Sequence, residues 1–228
     1  MKGTMKEAMA VIVSIVSLLL LSCATTQHSE QKKGENVVDV GDYTVKVPPE
    51  YKTPIGIRKG WEINLQREKE TVTFLGGIGL NISVSRHVLD ESKWHMSEGE
   101  IAGAIADSQT STVEKIVRES ADRSVIAKTF VGGTEVQFIN KSVNVVDGKR
   151  LHTLHFRLLF GGDAVFRTRG FEKKQFIYFQ DDFAKSHTLY IFSVSKTYPR
   201  SMLTPDLNAL KEKEIMLTYD VIKSLEYK

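Results

Sequence analysis

Leu151-His-Thr-Leu-His-Phe-Arg-Leu-Leu-Phe160 decides the fold. Leu154, Phe156, Leu158 and Phe160 take one face of this stretch, and Thr153, His155 and Arg157 take the other. A period of two is the mark of an extended strand. Two later stretches are apolar on both faces. Phe176 and Tyr178 oppose Ile177 and Phe179, while Tyr190, Phe192 and Val194 oppose Leu189 and Ile191. Strands of that kind belong in the middle of a sheet covered on both sides. Gly132-Gly133, Asp147-Gly148, Gly161-Gly162 and Phe183–Ser186 supply the turns, so Ser124 to Lys196 reads as an antiparallel meander.

Upstream, Asp42–Val47 reads as a strand stopped by Pro48-Pro49, whose rings cannot continue a ladder. Trp61, Ile63 and Leu65 alternate with Glu62, Asn64 and Gln66, and Val72 and Phe74 continue the theme. After a turn at Gly76-Gly77 and Gly79, Leu80, Ile82 and Val84 alternate with Asn81, Ser83 and Ser85. Two helices are signalled. Ser97 with Glu100 forms a capping box ahead of Ile101, Ala104, Ile105 and Ala106. Val113, Ile116 and Val117 extend that stripe past the poor helix formers Gln109-Thr-Ser-Thr112. The second helix has Thr204 as its cap, Pro205 at its first position and Asp206 at the positive end of its dipole. Leu207, Leu210, Leu217, Val221, Ile222 and Leu225 form its apolar stripe. The fold class expected is α+β: one domain over residues 37–228, an antiparallel sheet meander with helices packed on its faces.

The first residues carry a different signal. Lys2 and Lys6 precede Ala8 to Leu21, an apolar run broken only by Ser14 and Ser17. That run is short for a membrane span and fits the core of an export signal, residues 1–22. Leu20-Leu-Ser-Cys23 follows, with the one cysteine of the chain. It resembles the lipobox of bacterial lipoproteins. The resemblance implies that the Cys23 thiol receives a diacylglycerol and becomes the first residue of the mature protein. The plainer readings are an ordinary cleaved signal or an uncleaved signal anchor. Ala24 lacks the aspartate that, in that family, favours the inner membrane, which implies the outer membrane facing the periplasm. With Cys23 lipidated no thiol remains for a disulfide, so the domain must be held by its core.

Without residues 1–22, which hold Lys2, Lys6 and Glu7, the balance of 31 basic and 28 acidic side chains becomes 29 and 27. A chain so close to neutral argues against nucleic acid as its partner. Residues 23–36 read as a lipidated, flexible tether. Ala24 to Asn36 has no large apolar residue and cannot offset its ordering entropy. Its ends would lie about 20 Å apart as a random coil.

Tyr43-Thr-Val-Lys-Val-Pro48, the tryptophan strand at Trp61, Asn81-Ile-Ser-Val-Ser85 before a helix, the aromatic meander and a closing helix through Val221-Ile-Lys-Ser-Leu225 come in a telling order. This layout resembles the PsbP-like fold. That fold is shared by a photosystem II extrinsic protein, the Ran-binding Mog proteins and some bacterial envelope lipoproteins. The resemblance spans roughly residues 40–227. It implies a docking or assembly module and offers no catalytic residues to carry over.

Few residues suggest chemistry. His152 and His155 are the one close histidine pair, but an odd spacing on a strand sends them to opposite faces, so no metal is expected there. Trp94, between His87 and His95, reads as a side chain partly packed on the sheet, with a binding loop as the sharper alternative. Arg167, Arg169, Lys173 and Lys174 surround Phe166 and Phe171. They read as a solvated turn or as a basic patch for anionic headgroups or an acidic partner. Asp181-Asp182 reads as a solvated turn, with no series of oxygen ligands around it for calcium. No Gly-x-Ser-x-Gly and no His-Glu-x-x-His occurs. The expectation is therefore a membrane-anchored binding or assembly module with no cofactor and an envelope protein as partner, and not an enzyme. The alternatives are a small-ligand carrier, which needs a largely apolar cavity, and an envelope enzyme, which needs converging ionisable groups.

Overall fold

The computed structural model describes residues 37–48, 61–76, 79–109, 135–159, 168–199 and 210–228, with the backbone alone at a few strand ends. The lipobox, the tether, the helix extension at Val113–Val117, the glycine pairs at 132–133 and 161–162, Arg167 and the Thr204-Pro205 cap lie outside the described residues.

A seven-stranded antiparallel sheet is the centre of the molecule. Its strands are β3 (Glu62–Gln66), β4 (Thr71–Leu75), β5 (Leu80–Val88), β6 (Glu135–Val146), β7 (Lys149–Leu159), β8 (Thr168–Phe179) and β9 (Thr188–Pro199). Their order is β3-β4-β5-β9-β8-β7-β6. A small sheet of β1 (Val37–Asp39), β2 (Tyr43–Lys46) and β10 (Glu226–Tyr227) runs in the order β1-β2-β10. The fold is thus α+β and antiparallel, as the alternation indicates. The doubly apolar β8 and β9 sit centrally, flanked on both sides.

Each face of the large sheet carries its own core. On one face, Val72, Phe74, Ile82, Val84, Phe176, Phe192 and Val194 meet Val38, Tyr43 and Val45 of the small sheet. The same core takes Val221 and Ile222 from helix α3 (Glu212–Lys223). Burying each of these two aliphatics contributes about 1.5–3 kcal/mol. The Tyr43 hydroxyl, buried with its ring, donates to the Glu70 and Val84 carbonyls at 2.9 and 3.3 Å. On the other face, Leu154, Ile177, Phe179 and Leu189 pack against Ile101 and Ala102 of helix α1, residues 98–109. The Ser97–Glu100 box forms as expected: Ser97 N–H donates to the Glu100 carboxylate at 2.7 Å, and Glu100 N–H donates to Ser97 Oγ at 3.3 Å. Because both faces are covered, Thr153 is as buried as Leu154, although only the latter is apolar.

The last helix departs from the sequence reading. Leu210 and Lys211 are not helical, and Lys211 is extended (φ −82°, ψ 153°), so α3 starts at Glu212. Glu214 explains the start. One carboxylate oxygen accepts Lys211 N–H at 2.9 Å, capping the first turn, while the other pairs with Lys196 Nζ at 2.8 Å. The helix also ends before Leu225, which is buried but lies in the connection to β10. That strand pairs with β2, and Lys228 Nζ reaches the Asp39 carboxylate at 2.8 Å. Among the described residues no helix is long and apolar enough to cross a membrane.

Candidate functional site

Two surface features stand out, and both involve the hairpin of β6 and β7. Asp147 and Gly148 join the strands with φ of +51° and +76°. Two consecutive positive values make the mirror-image turn whose twist suits a tight hairpin. The pair flanking such a turn, Val146 and Lys149, is hydrogen bonded. Bonded and unbonded pairs then alternate, so Lys141, Val143 and Val145 carry their N–H and C=O groups away from β7.

β6 is the outer strand of the sheet, and among the described residues nothing pairs with that side. Its side chains are unusual for such a place. Val143 is 50% and Val145 69% exposed, and Phe138 and Ile139 at the bulge are exposed as well. Phe138, Lys141, Val143 and Val145 share the face on which α1 lies, because they stand opposite Phe156, Leu154, His152 and Arg150. A twelve-residue outer strand with an apolar row is a ready partner for another strand.

The second feature is a pocket of about 380 Å³ at the hairpin tip, walled by Glu98, Arg150, Tyr178, Asp181 and Phe183 among others. Asp181 accepts from the Tyr178 hydroxyl at 2.8 Å and from the Tyr227 hydroxyl at 3.1 Å. Burial pushes both phenols above their usual range, and the shared carboxylate adds to the effect. They are therefore neutral donors at ordinary pH, not nucleophiles. Glu98 faces His152 Nε2 at 3.4 Å.

Trp94 lies beside this end of the sheet, and its placement corrects the reading of it as packed on the sheet. Its indole stacks on His187 at 4.1 Å, and its N–H donates to the Leu89 carbonyl at 3.1 Å. His187 closes the one-turn helix α2 (Phe183–Ser186), so the ring rests on the β8–β9 connection and stays 48% exposed. Burial keeps the neighbouring His87 imidazole below its usual pKa.

Of the four basic residues only Lys173 and Lys174 have described side chains, and these two do not share a face. Arg167 lies outside the described residues, and only the backbone of Arg169 is described, in β8. Lys173 and Lys174 are consecutive in β8 and so point to opposite faces. Lys173 stands between Phe156 and Ser195, with Nζ 5.9 Å from the Phe156 ring, and burial pulls its ammonium down to about 8. Lys174 lies on the other face, opposite His155 and Val194, and burial lowers it too.

The histidines separate as expected. His155 Nε2 is 2.6 Å from the buried Glu172, which Arg157 also reaches at 3.3 Å. His152 lies under α1 on the opposite face. Among the described residues no three His, Cys, Asp or Glu side chains converge as metal ligands. The β6 row went unrecognised in the sequence. Its alternation, Val143-Asn-Val145, is legible, but the outer position that leaves it uncovered is a property of strand order.

No family model matches the chain, and no curated protein matches it. Among solved structures it is similar to the solution structure of cyanobacterial PsbP (CyanoP) from Synechocystis sp. PCC 6803. Identity is 14%, with 89% of this chain and 99% of that one covered, at a TM-score of 0.44. This is a weak likeness of fold.

Proposed function

We propose that the protein is a lipid-anchored protein of the bacterial envelope whose domain docks another envelope protein through the outer face of β6. Cys23 holds it to the membrane, and Ala24, which lacks the aspartate that favours the inner membrane, favours the outer membrane, facing the periplasm. The observation that carries the reading is the exposed apolar row of Phe138, Val143 and Val145. Apolar side chains aligned on an uncovered strand mark interaction surfaces. The pocket supports neither alternative. A carrier of apolar cargo would not line its cavity with Glu98, Arg150 and Asp181. For an enzyme, the two tyrosines held protonated beside Asp181 offer hydrogen-bond donors but no activated nucleophile.

The test is a photoreactive side chain placed at Val145 in the native host, with one at Met216, exposed on α3, as the control. A discrete adduct with one envelope protein from position 145 and none from 216 is expected. Equal, diffuse labelling from both positions would remove the docking reading.

A further inference from the structure

The same strand carries an inference about how the partner is recognised, and it rests on the docking reading. We infer that β6 is extended by one further antiparallel strand, donated by a segment of another protein that sets an acidic residue against Lys141 and apolar residues against Val143 and Val145.

Lys141, Val143 and Val145 direct three N–H and three C=O groups out of the sheet, at alternate positions along one straight run. The bulge between Phe138 and Asn140 limits the regular ladder to the part of β6 that leads to the hairpin turn. Side chains then select among strands, since every second residue of an added strand shares a face with the row. On that face β6 offers Val143, Val145 and Lys141, and β7 adds the exposed Arg150 opposite Val145. Its charges in the hairpin are both positive.

Charge also favours a different chain over a second copy. Paired along the regular ladder about Val143, two copies would set each Lys141 against the other's Val145 and gain no opposite-charge pair. A heterologous strand carrying glutamate or aspartate opposite Lys141 gains an opposite-charge pair instead.

Two peptides test this against the full chain in detergent. The first is acetyl-Thr-Val-Thr-Val-Thr-Glu-Thr-amide, whose Val, Val and Glu face Val145, Val143 and Lys141 when it lies antiparallel. The second has Lys in place of Glu. Residue-resolved hydrogen exchange reads the outward amides. The acidic peptide is expected to slow exchange at Lys141, Val143 and Val145 at least tenfold, and the lysine peptide to bind at least fivefold more weakly. Methylating the two valine nitrogens of the acidic peptide is expected to abolish the protection, with the protein itself unaltered. Val143→Pro, which removes an outward N–H and no β6–β7 bond, is expected to do the same.

Absence of protection with the acidic peptide overturns the inference, as does equal binding of the lysine or methylated peptide. So does protection of these amides without peptide, accompanied by a dimer in sedimentation. Each of those results leaves the position-145 adduct standing if it was found, which separates failure of strand addition from failure of docking.

Discussion

The Lys196–Glu214 pair joins the end of the central strand to the start of α3, and breaking it is the sharpest test of how the layers are held. The Nζ–Oε1 distance is 2.8 Å, and the side chains are 8% and 3% exposed. At an effective dielectric constant near 20 the attraction amounts to about 6 kcal/mol. Desolvating each ion costs several kcal/mol, so the intact pair contributes little net stability. Removing one partner is different, because the other charge stays buried. Lys196→Met is expected to cost about 3–5 kcal/mol, a large share of the 5–15 kcal/mol typical of a domain. Glu214→Gln is expected to cost less. Glutamine keeps the capping bond to Lys211 N–H, and the lysine stem can carry its ammonium outward. The double variant should recover most of the loss, giving a coupling energy of at least about 2 kcal/mol. Urea unfolding followed by the fluorescence of Trp61 and Trp94 measures all four states. Losses that simply add would refute the assignment of a buried, mutually dependent pair.

Other outcomes follow from the same packing. Val221→Asp puts a carboxylate where the native side chain is 1% exposed, and calorimetry should show no cooperative transition near the original temperature. Lys173 titrates at about 8 when folded, below the unfolded lysine value, so the unfolded chain binds more protons between those two pH values. Stability should rise with pH through that window. Lys173→Met should shrink the rise to the part that Lys174 contributes and add about 1–3 kcal/mol below pH 8, as read from urea midpoints across pH. Gly148→Ala forces a side chain onto φ +76° and should cost about 1 kcal/mol, with Gly148→Asn costing less in the same assay.

The local features of this chain were legible where a few neighbouring residues set them. Alternation gave β5 with Leu80, Ile82 and Val84 buried, and the Ser97–Glu100 box marked α1. Unbroken apolar character placed β8 and β9 in the interior. What escaped depends on contacts distant in sequence. α3 starts at Glu212 because Glu214 answers Lys196, eighteen residues earlier, and no local pattern reveals that tie. β10 is two residues long and exists because β2 offers it an edge. Lys173 and Lys174 part to opposite faces because they follow one another in a strand, which the meander reading already implied. The candidate site was the least legible part. Val143 and Val145 look like core residues until the strand order leaves them outside.

A docking strand of this kind works at a bilayer surface only if Cys23 is lipidated. Metabolic labelling of the native host with a clickable fatty-acid analogue tests that requirement directly. The mature chain should carry the label and sediment with membranes, and Cys23→Ser should lose both properties. An unlabelled wild-type chain, or a Cys23→Ser variant that remains labelled and membrane-bound, would contradict the account.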